Sequence, residues 1–528
     1  MDINPIFLID FYKVGHVDQY PEGIKRIWVN FTPRSTRVEG ETGVIFFGLQ
    51  RFIRKVLIDQ FENEFFNRDL EDLVSEYRTV IQKTLGVANP RTDHIERLWR
   101  HGMLPLDIYA VPEGTYVPLG VPAMVIVNNE DWAFWLPNYI ETMASNNLWH
   151  ACTSATTAHR YRRIFIQAAL AAGEKDLSFI DWQGHDFSYR GLSGFDSAVL
   201  SGMGHLLSFS GTDTLPAILE AADYYHADLS VGGSVPATEH SVMCAGSQGG
   251  EEETFRRLIE DVYPNGIVSI VSDTWDLWKV LTTIVPNLKD KILARNGKVV
   301  IRPDSGDPVK ILTGDPDTVC NIFNYDPRFK GALRLLAKAV GTTEGPGGEL
   351  LNKMGLIYGD SITPSRAKQI LDIGIVQGFS PYNFVFGIGS YTYQYVTRDT
   401  YNFAFKATAI EREVPAKSKL EVTEDGKFAY EMKTERIVEA IFKDPVTDNA
   451  HKKSHRGIPV AIYKADGSIG YIETLDPSLL SDGDDKEIVN APGLSAFRKV
   501  FDGDLLIDED FESIRTRVRT RDLEPVTA

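Results

Sequence analysis

The sequence predicts an α/β protein, an irregular β/α barrel domain packed with a mixed α+β domain built from the N- and C-terminal segments. Three observations lead there. Between residues 150 and 394, short apolar runs end abruptly in polar residues and alternate with helical patterns. On both sides of that stretch the chain turns to β-rich runs punctuated by Pro and Gly. Its 528 residues also exceed what one core usually supports. The expected domains are 1–149 with 395–528, and 150–394.

In chain order, Lys25 to Phe31 reads as a strand and Phe46 to Leu57 as an amphipathic helix. Residues 64–85 repeat apolar positions at helical spacing, with Leu73, Tyr77 and Ile81 on one face. Leu106 to Val127 reads as a small antiparallel sheet, followed by an aromatic-rich helix around Trp132 to Leu148. The barrel strands are expected at Leu177–Ile180, Leu206–Phe209, Ile267–Val271, Val299–Ile301, Leu356–Tyr358 and Phe384–Phe386, with a helix at Glu251–Val262. A doubly wound open sheet predicts a similar string; the number of repeats favours the barrel. Beyond 395, Asp425-Gly426 and Asp466-Gly467 are hairpin signals, and residues 502–528 read as a charged, peripheral tail.

Composition narrows the function. A formal charge of -18 repels a phosphate backbone, so nucleic-acid binding is disfavoured. Cys152, Cys244 and Cys320 have neither disulfide-framework nor zinc spacing. No apolar run approaches the roughly 18 residues that span a bilayer, and the first residues lack a signal-peptide pattern. A cytoplasmic protein is expected.

In a β/α barrel the chemistry sits at the carboxyl ends of the strands, where polar residues collect here. In His185-Asp-Phe-Ser-Tyr-Arg-Gly191, Phe187 can stack a flat heteroaromatic ring and Arg190 can hold a phosphate; alternatively, Phe187 is core and Arg190 pairs with Asp186. Asp213 can accept from an amide, although a helix cap at Thr212 or Asp213 is the commoner reading of such residues. His240 beside Glu239 has the equipment of a base or phosphoryl acceptor, and a structural role is the commoner one. Asp273, Arg302 and Asp304 suit Mg2+ and phosphate together, against the alternative of a surface ion pair. Gly387-Ile-Gly389-Ser can cradle a phosphate but lacks the dinucleotide fingerprint, and no Walker motif occurs. Near the N-terminus, Asp10-Phe-Tyr12-Lys13 is too aromatic for a loose end and is expected to be tied into something.

Taken in order, these motifs resemble the nicotinamide phosphoribosyltransferase family, from about residue 8 to about 460, with Val111-Pro-Glu-Gly, Ser234-Val-Pro-Ala-Thr-Glu-His240, Ile301-Arg-Pro-Asp-Ser-Gly306 and Thr397-Arg-Asp among them. The resemblance implies transfer of phosphoribosyl from phosphoribosyl pyrophosphate to nicotinamide, with Mg2+, in a homodimer whose active sites are shared. It implies that Phe187 and the partner's Tyr12 sandwich the ring, with Asp213 on its amide. Arg190 and Arg302 are implied as phosphate ligands, with Asp304 on the ribose or metal side and Gly359, Asp360 and Gly389 lining the ribose-phosphate end. Arg34 and Arg398 are implied to reach the pyrophosphate across the interface. His240 is implied to be phosphorylated, coupling ATP hydrolysis to synthesis. The candidate catalytic residues are thus His240, Asp304 and Asp273; the metal's ligands are left open. Two departures stand out: the glycine-rich loop is reduced to Gly387-Ile-Gly389-Ser-Tyr391, and the stretch between Lys406 and Phe442 is longer.

The rivals are a nicotinate phosphoribosyltransferase, a non-catalytic relative acting as a binding protein, and a barrel hydrolase with paired carboxylates. An ionised Asp213 accepts from an amide and repels a carboxylate, which favours nicotinamide.

Overall fold

A computed structural model describes residues 3–319, 325–416, 420–422, 428–430, 434–447, 453–481 and 492–526. The chain divides into two compact units, Met1–Cys152 with Arg398–Asp510 and Thr153–Thr397 with Phe511–Ala528, each with its own apolar core.

The first unit is built on a six-stranded antiparallel sheet. Its order is Thr434–Ala440, Phe403–Pro415, Ile24–Pro33, Met124–Asn128, Leu106–Ala110 and Arg498–Phe501. The expected sheet of 106–127 is therefore part of a larger one, and its middle strand, Tyr116–Pro118, leaves to pair with Gly43–Ile45. The helix Leu70–Leu85 starts where Asp69 accepts from the backbone N–H groups of Glu71 and Asp72, ends at left-handed Gly86, and buries Leu73, Tyr77 and Ile81. Gly467, at φ 80°, turns the hairpin between Ile458–Tyr463 and Ile469–Thr474. Asp425-Gly426 lies outside the described residues, though the flanking Leu420–Val422 and Phe428–Tyr430 pair antiparallel.

The N-terminal segment is pinned within this unit. The buried Lys13 Nζ donates to the Asn138 carbonyl at 2.5 Å and lies 3.2 Å from Glu141; Asp10 accepts from the Thr142 hydroxyl at 2.7 Å. Tyr12 between them stays 65% exposed, so an aromatic ring is held in solvent by anchors on either side.

The second unit carries a six-stranded parallel sheet, in the order Gly211–Thr212, Gly184–Asp186, Phe384–Ile388, Met354–Tyr358, Asn296–Arg302 and Asn265–Val271. Its two edges are joined by one extended segment. Gly233 bridges Gly211 on one side, and Ala237 bridges Ser269 on the other, both in parallel. The sheet thus closes as an irregular barrel.

Two strand expectations are corrected. Leu177–Ile180 runs into a 3-10 turn, Ser178–Trp182, and the strand is the polar Gly184–Asp186 beyond it. Leu206–Phe209 is the end of the helix Phe195–Leu206 and the loop after it, and the strand is Gly211–Thr212. In the helical stretch Glu251–Val262, Phe255, Leu258 and Ile259 are buried, whereas Val262 is exposed.

The tail is not peripheral. The helix Phe511–Arg519 belongs to the barrel unit and buries Phe511, Ile514, Arg515 and Val518. The Arg515 guanidinium donates to the carbonyls of Leu206 at 2.7 Å and Val231 at 2.8 Å, groups that need a donor once buried.

Candidate active site

A polar cavity of about 1090 Å³ opens at the carboxyl ends of the parallel strands. It brings together Phe187, Arg190, Asp213, His240, Arg302, Asp304, Gly359, Asp360 and Gly389. A smaller, largely apolar channel of about 250 Å³ is lined by Trp182, Lys298, Val300, Leu356, Tyr382 and Val385, among others. Phe187, Asp213 and Arg302 line both spaces. They stand where polar cavity and apolar channel meet.

Phe187 follows the strand Gly184–Asp186 and is only half-buried, so it is not core. A Cβ on Gly387 would fall 2.4 Å from its ring, so glycine there lets the ring lie flat against the neighbouring strand. That glycine, expected to serve a phosphate, makes room for Phe187. Gly389, by contrast, has nothing within 4 Å of where a Cβ would be, and it lines the cavity. Asp186 does not pair with Arg190; it is buried and accepts from the Ser188 N–H at 2.9 Å and the Thr214 hydroxyl at 2.7 Å.

Asp213 is not a helix cap. The helix Leu215–Tyr225 starts after Thr214, and no side chain caps it. The Asp213 Oδ1 instead lies 2.9 Å from His185 Nε2 and accepts from the Ser234 hydroxyl at 2.6 Å. Burial by itself would raise the Asp213 carboxyl; His185, Ser234 and the more distant Arg302 outweigh it and hold the group below its usual range. A carboxylate therefore faces the ring site.

Arg302 ends its strand with its guanidinium carbon 5.9 Å from the Phe187 ring centroid. Among the described residues its Nε has no hydrogen-bond partner, and it pairs with no aspartate, so the surface-ion-pair alternative fails. Asp304 is pushed up, by burial first and then by Asp273 and Asp360, against the opposing pull of Arg302 and His240. A cluster of acids short of positive charge is what a hard cation relieves. Asp273 sits behind: its Oδ2 accepts from the Asp304 N–H at 2.9 Å and the Ser305 hydroxyl at 2.6 Å, fixing that turn. No group of three His, Cys, Asp or Glu among the described residues is arranged to hold a metal alone. The carboxylate oxygens of Asp304 and Asp360 are the hard kind of ligand that Mg2+ takes.

His240 begins a short helix; its Nδ1 lies 3.1 Å from the Thr274 hydroxyl, and its Nε2 lies 4.0 Å from Asp304 Oδ2. The imidazole is oriented through one nitrogen, with the other toward the acid cluster.

Tyr12, Arg34 and Arg398 lie in the other unit. Arg34 and Arg398 line a polar pocket there, about 250 Å³, with Asp10, Glu141 and Lys406. Burial lowers the Lys406 ammonium; Glu141 opposes, while Arg34, Lys443 and Arg398 lower it further. Sequence reasoning passed over Lys406, His185 and Ser234. The signal for His185 was the two-residue strand period that puts it on the side of Phe187, and their ring centroids are 4.9 Å apart.

No helix among the described residues is long and apolar enough to cross a membrane.

Residues 182–429 match the Nicotinate phosphoribosyltransferase (NAPRTase) family model, and residues 4–84 match the model for the Nicotinamide phosphoribosyltransferase, N-terminal domain. The chain is 47% identical over 469 residues to a nicotinamide phosphoribosyltransferase of Acinetobacter baylyi, covering 86% of this chain and 88% of that protein. It is 32% identical over 464 residues to one of Xanthomonas campestris pv. campestris, covering 86% of each. Among solved structures, human nicotinic acid phosphoribosyltransferase shares the fold at a TM-score of 0.54 and 14% identity, over 98% of this chain and 94% of that one. Nicotinate-nucleotide pyrophosphorylase from Pyrococcus furiosus does so at 0.54 and 13%, over 98% and 95%.

Proposed function

The chain belongs to the nicotinamide phosphoribosyltransferase family, and from that premise we propose that it joins nicotinamide to phosphoribosyl pyrophosphate, giving nicotinamide mononucleotide and pyrophosphate. The observation that carries the reading is the shared position of Phe187, Asp213 and Arg302, a ring platform, an amide acceptor and a hydrogen-bond donor for phosphate around one space.

Nicotinamide lies on Phe187 with its amide N–H toward Asp213. The pyridine nitrogen attacks the ribose C1; the bond from C1 to the pyrophosphate oxygen breaks, and its electron pair leaves with pyrophosphate. Arg190 and Arg302 neutralise phosphate charge, and Asp304 and Asp360 face the cation-like sugar. Asp304 and Asp360 would hold Mg2+, which would supply counter-charge for the leaving pyrophosphate.

His240 takes the γ-phosphoryl of ATP on Nε2, releasing ADP, while Thr274 keeps Nδ1 engaged. The working form is a cytosolic homodimer in which a second copy supplies Tyr12 over the ring and Arg34 and Arg398 to the pyrophosphate. The exposure of Tyr12 and the clustering of Arg34, Arg398 and Lys406 support this.

The test incubates pure protein with Mg2+, phosphoribosyl pyrophosphate and either nicotinamide or nicotinate, with and without ATP. Nicotinamide mononucleotide and pyrophosphate should appear in equal amounts, and ATP should leave acid-labile phosphate on wild type but not on His240→Ala. Product from nicotinate alone would overturn the substrate, and unlabelled wild type would remove the histidine step.

A further inference from the structure

We propose that His185 is a positioning residue that, with Ser234, decides which pyridine the site accepts by fixing one oxygen of Asp213 and leaving the other for the ring substituent. This rests on the reading of the site as one for nicotinamide.

Both described side-chain contacts of Asp213 fall on the same oxygen. His185 Nε2 and the Ser234 hydroxyl reach Oδ1 at 2.9 and 2.6 Å and lie 3.5 Å from each other, while neither reaches Oδ2. An ionised carboxylate only accepts, so the His185 proton must be on Nε2. With Oδ1 used twice, the carboxylate cannot spin, and Oδ2 is the acceptor left for an amide N–H. His185 is itself held in place. It is buried in its strand, and a Cβ on Gly211 would stand 2.7 Å from its Nδ1, so the adjoining strand approaches the imidazole as closely as glycine permits. Its ring meets that of Phe187 at 4.9 Å and 55°. One residue thus abuts the stacking ring and orients the amide acceptor.

The arrangement has a second consequence. Two donors, His185 Nε2 and Ser234 Oγ, converge on the point Asp213 occupies. Remove the carboxylate and both lose their acceptor, and for the buried His185 an unpaired donor is costly. A pyridine bearing its own carboxylate would satisfy them. Asp213 therefore excludes nicotinate partly by occupying donors that would otherwise bind it, and His185 serves either ring, depending on who provides the negative charge.

The experiment measures KM and kcat for nicotinamide and nicotinate in wild type, His185→Leu, His185→Gln, Asp213→Ala and His185→Leu/Asp213→Ala. His185→Leu should raise the nicotinamide KM about 10-fold with kcat changed less, the scale of a lost hydrogen bond to a charged group. His185→Gln, which keeps a neutral donor, should recover most of that rise. Asp213→Ala should gain nicotinate use, and the double variant should lose the gain, a non-additive result that mere structural support would not produce. If His185→Leu does not fold, Ser234→Ala takes its place in both backgrounds, with a smaller shift in the same sense. Unchanged nicotinamide KM in His185→Leu and in Ser234→Ala, or a nicotinate gain indifferent to both, overturns the inference while leaving the transferase reading intact. A wild type that makes no mononucleotide from nicotinamide overturns the transferase reading instead.

Discussion

The polar cavity and the apolar channel meet at the same three side chains yet are built for opposite purposes. The cavity presents Arg190, His240, Asp304, Asp360 and the Gly389 backbone, groups whose charges and hydrogen bonds suit a phosphorylated sugar. The channel presents Val300, Leu356, Val385 and Tyr382, a mostly apolar surface that suits a flat ring better than a phosphate. On the proposed reading, the contrast makes ring and phosphate recognition the work of separable sets of residues. Phe187, Asp213 and Arg302 are the seam.

If the two sides are separable, their variants should separate too. The largest effect is expected from Arg190→Ala on the cavity side: about a 100-fold fall in kcat/KM for phosphoribosyl pyrophosphate, with the nicotinamide KM little changed. Steady-state kinetics with each substrate varied in turn reads this, and an equal loss for both substrates would erase the division. Gly387→Ala acts at the seam. Its methyl group would collide with the Phe187 ring, so the nicotinamide KM should rise about 10-fold while the chain stays folded, with circular dichroism as the control.

A subtler test uses pH. Asp213 is held below the ordinary aspartate value of 3.8, so its ionised form is present above that pH and is lost only as pH falls through the depressed value. Nicotinamide binding measured by titration calorimetry should therefore show no carboxylate transition between about pH 5 and pH 7. A step in that window that Asp213→Asn removes would mean that Asp213 is not held as the carboxylate acceptor. The smallest effect belongs to Lys298, whose Nζ lies 4.1 Å from the Tyr382 ring centroid on the channel side. Lys298→Ala should change either KM by about 2-fold or less, in line with a partly exposed cation–π contact. A large change in the phosphoribosyl pyrophosphate KM would show that charge does reach through the channel.

The same contrast explains what could be read from the sequence. The strands Asn265–Val271, Asn296–Arg302, Met354–Tyr358 and Phe384–Ile388 carry apolar runs because one face packs into the core and the other lines the apolar channel, and those runs were legible, as were Arg302 and Asp304 at a strand end. Gly184–Asp186 and Gly211–Thr212 carry the site and have no apolar run, so the nearest greasy stretches, Leu177–Ile180 and Leu206–Phe209, drew the strand expectation instead. Ring and phosphate residues could be found as chemical types, but the pairing of Asp213 with His185 and Ser234 depends on strands 28 and 49 positions apart in register with His185. The role of Gly387 was hidden for the same reason. Its need for no side chain comes from Phe187, which sequence places far away.

The helix Phe511–Arg519 carries a consequence for how the protein is made. Its Arg515 serves carbonyls at Leu206 and Val231, groups laid down some three hundred positions earlier, as Leu206 and Arg515 are 309 apart. Until the ribosome has released that helix, those carbonyls and the surface around Phe511 wait without their cover. The barrel unit is therefore complete only once this helix has been made, some three hundred positions after the carbonyls it serves.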